Sequence, residues 1–154
     1  AALVVVERLP LVTGGVAAKV PGHDNGFFVE PTVFADVRSD MRIFQEEVFG
    51  PVLAVIPFED EADAIRIGND VDFGLAAAVW TRDLKRAMWM TDKLKAGTVW
   101  VNNYRATSFT SPFGGYKESG IGRESGADAI KDYLEVKTVW LSSDLDVPNP
   151  FIRR

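Results

Sequence analysis

VLAVIPF at residues 52–58, LAAAVW at residues 75–80 and TVWVN at residues 98–102 are three apolar runs of strand length, and a segment of helical character separates each from the next. After the first, Asp60 stands as the N-cap of a short helix whose apolar positions are Ala64, Ile65 and Gly68. After the second, Thr81 opens a stronger helix over residues 82–95, with Leu84, Ala87, Met88, Thr91 and Leu94 on one face and Gly97 as its C-terminal stop. Strand, helix, strand, helix, strand is the order of βαβ units. The three runs are therefore expected as neighbouring parallel strands joined by right-handed crossovers.

Upstream, residues 11–13 and 32–34 are candidate strands separated by a turn at His23-Asp24-Asn25-Gly26. His23 is a lone histidine in a polar turn, which fits solvated surface better than a metal ligand. Downstream, a glycine-rich loop leads to Ser125, which with Asp128 three residues later resembles a capping box starting a short helix through Leu134. VKTVWL at residues 136–141 reads as a last strand. No repeat or low-complexity linker divides the chain, so it is treated as one unit.

Composition narrows the function. The 154 residues are 47% apolar and 25% charged, with a mean hydropathy of +0.01, which describes a globular chain. A net charge of −5 without any dense run of Lys and Arg removes the footprint that nucleic-acid binding needs. There is no cysteine, so no disulfide, thiolate metal site or thiol nucleophile can be built from these residues. The apolar residues 3–6 are broken by Glu7 and Arg8 and are far too short to span a bilayer. Without a basic n-region or cleavage pattern, the expectation is no signal peptide, no membrane partner and a cytoplasmic location.

Three segments invite a chemical reading. Residues 120–126, GIGRESG, approach a phosphate loop, but Ser125 holds the third glycine position and no strand immediately precedes. Glycines that let a crowded loop turn are the better reading. EEVFGP at residues 46–51 sets two carboxylates and an aromatic ring before a rigid turn that feeds a buried strand. A fixed carboxylate there can accept two hydrogen bonds from vicinal ribose hydroxyls, and the ring can pack on a flat ligand face. In isolation, a solvated acid pair would be the commoner outcome. SPFGGYKESG at residues 111–120 is long, aromatic and glycine-rich, as functional loops often are, although Phe113 and Tyr116 could equally cover a core edge. Asn102 and Asn103 either orient a substrate or terminate a strand, with the second favoured.

Taken in series, GFFVEPTVF (26–34), EEVFGPV (46–52), FGLA (73–76), AGTVWVN (96–102), SPFGGYK (111–117) and SGIGRE (119–124) resemble the C-terminal signatures of NAD(P)-dependent aldehyde dehydrogenases. The agreement runs from about Gly26 through Leu141 and corresponds to the last part of a family chain; residues before about Val12 depart from the pattern. The resemblance implies an α/β fold: residues 1–134 as part of the parallel-sheet catalytic domain, and residues 135–154 as a C-terminal oligomerisation strand and tail. It implies that Glu47 binds the nicotinamide-ribose hydroxyls of NAD or NADP and that Phe49 packs against the same part of the cofactor. Phe113 matches an aromatic lining the aldehyde tunnel, whereas Thr107 stands where many relatives carry a second one. Arg123 and Glu135 match residues that tie subunits and cofactor site together, with Val139 and Trp140 in the oligomer strand. Lys117 and Gly120 match carbonyls that hold a monovalent cation in a few members.

In the family a cysteine thiolate attacks the aldehyde, and hydride passes to the cofactor. Neither that cysteine nor the Rossmann half is among these residues, so the chain alone is expected to be inactive. Two functions stand side by side: part of an enzyme that oxidises an aldehyde to a carboxylic acid, or a non-catalytic module that keeps the family's homo-oligomerising surface.

Overall fold

The computed structural model describes residues 10–143 and residue 151. In chain order the elements are β1 (Leu11–Thr13), β2 (Ala17–Ala18), β3 (Phe28–Val29), β4 (Thr32–Phe34), α1 (Arg42–Gln45), β5 (Val52–Ala54), α2 (Glu61–Asn69), β6 (Phe73–Gly74), β7 (Ala76–Val79), α3 (Leu84–Lys93), β8 (Thr98–Val101), β9 (Tyr116–Lys117) and a 3-10 helix at Ala127–Tyr133. One sheet runs β1-β4-β5, with β1 antiparallel and β5 parallel to β4; β2 pairs with β3, β6 with β9, and β7 with β8. The chain is mixed α/β, as expected. No helix among the described residues is long and apolar enough to cross a membrane.

Two patches of core hold these pieces. Alternation along β4 sends Thr32 and Phe34 inward, and Phe34 packs with Val37 and Met41 against Ile43, Phe44, Val52, Ala54 and Ile56. The second patch is where Val79 and Ala87 are buried, joining α3 to β7. The β7-α3-β8 unit is the βαβ unit expected: β7 and β8 are parallel and in register from Ala76 opposite Thr98 to Val79 opposite Val101.

The expected third neighbour is elsewhere. β5 belongs beside β4, because Val55 N donates to Phe34 O (2.8 Å) and Val37 N donates to Val55 O (3.2 Å), and it has no ladder to β7. Residues 52–57 alternate between half-buried and exposed, so this run has an inner face and an apolar outer face that includes Leu53 and Val55. The helix boundaries also move inward. Asp60 does cap α2, accepting from Asp63 N at 2.8 Å. α3, however, is capped by Asp83, which accepts from Arg86 N at 3.1 Å, while Thr81 Oγ1 accepts from Asp83 N. Its C-cap is Leu94 rather than Gly97, and its inner face is Ala87, Met90, Thr91 and Leu94, with Leu84 and Met88 exposed. Ser125 is not a cap: it has φ +61°, and Gly126 precedes the 3-10 helix without a side-chain bond.

Residues 136–141 form no ladder among the described residues, and Val136, Val139, Trp140 and Leu141 are each at least 73% exposed. The apolar residues 3–6 and the end of the polar tail lie outside the described residues. The accessible surface totals 13134 Å², whereas a compact monomer of this mass exposes roughly 7,700 Å².

α1 has only four residues and is held by a side-chain pair. Arg42 Nε and Nη2 donate to both carboxylate oxygens of Glu46, each at 2.8 Å. The Arg42 hydrogen bonds hold the Glu46 carboxyl below the ordinary glutamate range against a smaller opposing effect of desolvation. Because folding depresses this pKa, the pair's contribution is present above the ordinary glutamate pKa and is lost as pH falls through the depressed value. Arg42→Ala is expected to move the Glu46 midpoint upward in a carboxyl-carbon NMR titration. A midpoint that stays where it was would remove Arg42 as the cause.

Candidate functional site

After α1 the backbone turns extended at Glu46 (φ −100°, ψ 135°) and runs through residues 47–50 into β5. Gly50 N donates to Val48 O and Val52 N to Gly50 O, both at 2.8 Å, while Pro51 O accepts from Thr32 N. This tight turn sets Glu47 and Phe49 at the mouth of β5. Both line a cavity of about 660 Å³ walled by Phe44 and Gln45 on one side and Gly74, Ala76 and Ala77 on the other. That size is within the roughly 300–1,000 Å³ of small-molecule sites. Phe49 is 97% exposed, an apolar ring offered to the space. Of the two adjacent acids, Glu46 is taken by Arg42, and Glu47 has no hydrogen-bond or ion-pair partner among the described residues. The charged lining residues are Glu46, Glu47, Glu118 and Lys95. A cavity with three acids and one base disfavours a phosphate and suits a neutral polyol that donates hydrogen bonds.

The floor of the cavity is the end of α2. Gln45 Nε2 donates to Asp70 O (2.9 Å) and Ser39 O (3.0 Å), and Lys117 Nζ donates to Asn69 O (2.9 Å) and Val71 O (2.6 Å). Glu118 N donates to Asp72 O at 2.9 Å, and Gly74 N donates to Ser119 Oγ at 2.9 Å. The Asn69 side chain bonds Lys93 O and Lys95 N, joining the end of α3 to the same junction. Sequence reasoning missed Gln45, Asn69 and Ser119, since a side chain that bonds backbone far along the chain leaves no local signature.

The glycine-rich loop is pinned by Phe113 N to Glu124 O (2.8 Å), Glu124 N to Phe113 O (2.7 Å) and Gly126 N to Phe109 O (2.9 Å). Phe113 and Thr107, expected together, share a cavity of about 280 Å³ with Thr98, Ser108 and Ser111. Gly97 is needed for close approach: an added Cβ there would overlap Gly114 O. Arg123 faces inward, donating to Gly115 O and Gly122 O (2.8 Å each), with its guanidinium 5.4 Å from the Tyr116 ring centre.

The remaining candidates separate. Asn102 closes β8: its amide donates to Thr81 O (2.8 Å) and its carbonyl accepts from Thr81 N (2.9 Å). Asn103 accepts from Tyr104 N at 2.7 Å. Lys117 O already accepts from Gly120 N in a turn, and the Lys117 ammonium itself supplies the positive charge at the nearby carbonyls. No group of three or more His, Cys, Asp or Glu poised for a metal occurs among the described residues. Glu135, Val139 and Trp140 are exposed and far along the chain from both cavities. His23 is exposed, edge-on to Phe28.

Residues 3–139 match the Aldehyde dehydrogenase family, so the match extends upstream of Val12, where the sequence signatures had appeared to stop. The chain is 56% identical to an aldehyde dehydrogenase of Emericella nidulans over 118 residues, 76% of this chain and 24% of that one. It is 52% identical to a betaine aldehyde dehydrogenase of Brucella melitensis, over 88% of this chain and 28% of that one. Among solved structures it is similar to a betaine aldehyde dehydrogenase mutant of Staphylococcus aureus in complex with NAD+ (40% identical, TM-score 0.87, 95% of this chain and 30% of that one). It is also similar to an indole-3-acetaldehyde dehydrogenase mutant of P. syringae in complex with NAD+ and IAA (47% identical, TM-score 0.80, 86% and 26%). The chain thus spans between about a quarter and three tenths of these relatives' length. With the family match running along most of the sequence and the fold superposing on that same stretch, the chain belongs to the aldehyde dehydrogenase family.

Proposed function

We propose that this chain supplies the nicotinamide-ribose side and part of the aldehyde tunnel of an enzyme that oxidises an aldehyde to a carboxylic acid with NAD or NADP. The observation that carries the reading is the pairing of a carboxylate without a partner among the described residues, Glu47, with an exposed ring, Phe49, on one cavity. An ionised carboxylate only accepts, and its two oxygens match the two donors of a vicinal diol. The bound cofactor would supply the two-electron acceptor. Glu47 would orient its ribose, Phe49 would exclude water from one face, and Phe113 with Thr107 would line the approach of the aldehyde. Thr107, Ser108 and Ser111 would add hydroxyls to a lining that also holds Ala106, Pro112 and Phe113. The sequence holds no cysteine, so the nucleophile has to come from residues outside it, and the 154 residues alone are expected to turn nothing over.

In a full-length aldehyde dehydrogenase carrying this segment, Glu47→Gln replaces a charged acceptor with a neutral amide. Charge-assisted hydrogen bonds are worth about 1.5–3 kcal/mol, so cofactor affinity or kcat should fall roughly tenfold or more. Both parameters unchanged would return Glu47 to solvated surface.

Residues 136–141 favour a further role in association, the non-catalytic reading of the same family. Val136, Val139, Trp140 and Leu141 are exposed and pair with no strand among the described residues, and such an apolar stretch can pair with another chain. Homo-oligomers joined through this strand are expected, with residues 135–154 acting as a C-terminal arm. Val139→Lys with Trp140→Lys should shift the sedimentation profile toward smaller species; a profile that is monomeric before the change would refute the arm.

A further inference from the structure

The carbonyls of Asn69, Asp70, Val71 and Asp72 follow one another at the end of α2, and each accepts from a residue distant in sequence: Lys117 Nζ, Gln45 Nε2, Lys117 Nζ again, and Glu118 N. Asn69 is the last residue of α2 and Asp70 its C-cap, so a cation at Asn69 O suits the open carbonyls and negative end of the helix, while Val71 and Asp72 lie in the turn that follows. The donors come from two different site segments. Gln45 lies two residues before Glu47, and Lys117 lies four after Phe113. Lys117 has φ +53°, a conformation that side-chain-bearing residues rarely adopt and that glycine takes freely. A lysine held there is explained by what its ammonium reaches. Its own side chain is not part of the Glu47 cavity lining, whereas the neighbours it fixes, Val71, Glu118 and Ser119, are.

We propose that Lys117 and Gln45 are positioning residues that fasten the Glu47 strip and the Phe113 loop to one helix end, so that the cofactor side and the aldehyde side of the site are energetically coupled through residues 69–74. The inference rests on the ribose and tunnel readings above. Loosening either donor lets the 69–74 segment shift: Val71, Phe73 and Gly74 line the Glu47 cavity, and through Lys117 the same segment is tied to the loop that carries Phe113. The tunnel-loop donor therefore governs cofactor binding, and the ribose-strip donor governs aldehyde binding. The three N–H donors of an ammonium can serve both carbonyls at once, which a methionine thioether, having no N–H or O–H donor, cannot.

The test is steady-state kinetics on a full-length aldehyde dehydrogenase carrying this segment, with NAD+ and a small aldehyde as the probes. Lys117→Met keeps the stem and removes the donors; the KM for NAD+ should rise about fivefold or more with kcat changed less than about twofold, and Lys117→Arg should recover most of the loss. Gln45→Met should in turn raise the KM for the aldehyde, and the double variant should depart from the product of the single effects. A lowered melting temperature with both KM values unmoved would overturn the proposal, leaving the contacts as simple helix caps. If Lys117→Met does not yield soluble enzyme, Gln45→Met decides alone: an unaltered aldehyde KM overturns the coupling. Glu47→Gln in the same background separates the two ideas. If it leaves NAD+ binding intact, the ribose reading fails; if it weakens binding while Lys117→Met does not, only the coupling fails.

Discussion

The carbonyls of residues 69–72, where α2 ends and the chain turns toward β6, are met by donors from distant segments, and that junction assembles the site. Asp70 N donates locally to Ile67 O, whereas the carbonyls of residues 69–72, in the turn that leads to β6, take donors from elsewhere in the chain. The donors arrive from residues 45 and 117–118, so satisfying one helix end draws together segments more than seventy positions apart. β6 pairs with β9 as part of the same junction, with Phe73 opposite Lys117 and Gly74 opposite Tyr116. The Asn69 side chain adds the end of α3. Three connections that look separate in sequence are thus one anchoring point.

Charge arrangement then selects the chemistry of the cavity beside that anchor. Arg42 neutralises Glu46 and leaves Glu47 as the carboxylate still able to accept, so the pair of acids performs two tasks, one structural and one turned to the cavity. The apolar outer face of β5 and the exposed Phe49, Phe27 and Ile121 have the character of surfaces made to be covered. Parallel strands are ordinarily covered on both faces, and the accessible area far exceeds that of a compact monomer of this mass. Within the family reading, the remainder of a relative's chain is the natural cover.

Much of the fold was legible because local signals agreed. The β7-α3-β8 unit follows from two apolar runs flanking an amphipathic segment, and Asp60 capped α2 as its position suggested. The partner of β5 was not legible: an all-apolar run of seven residues says that a strand is apolar on both faces, but not which strand lies beside it, and long-range backbone bonds from Phe34 and Val37 decided that. Asp83 displaced Thr81 as the cap because a carboxylate two residues on reaches Arg86 N, while the Thr81 backbone is held by Asn102. Gly97 carried the same letter for a different reason, close approach to Gly114 rather than a helix stop. Ser125 looked like a cap but has a left-handed backbone. At the site, Glu47 and Phe49 line one cavity and Phe113 and Thr107 another, whereas Arg123 turns inward onto its own loop. The helix-end donors depend on tertiary contacts that no window of sequence contains.

The central claim is that the carboxylate left free beside α1 is the one that meets the cofactor ribose. A crystal structure of a full-length aldehyde dehydrogenase carrying this segment, soaked with NAD+, measures it directly. The account predicts both Glu47 carboxylate oxygens at hydrogen-bond distance, roughly 2.6–3.2 Å, from the two hydroxyls of the nicotinamide ribose, with Glu46 still held by Arg42. A ribose lying elsewhere, with Glu47 pointing into solvent or Glu46 released from Arg42 to take its place, would contradict it.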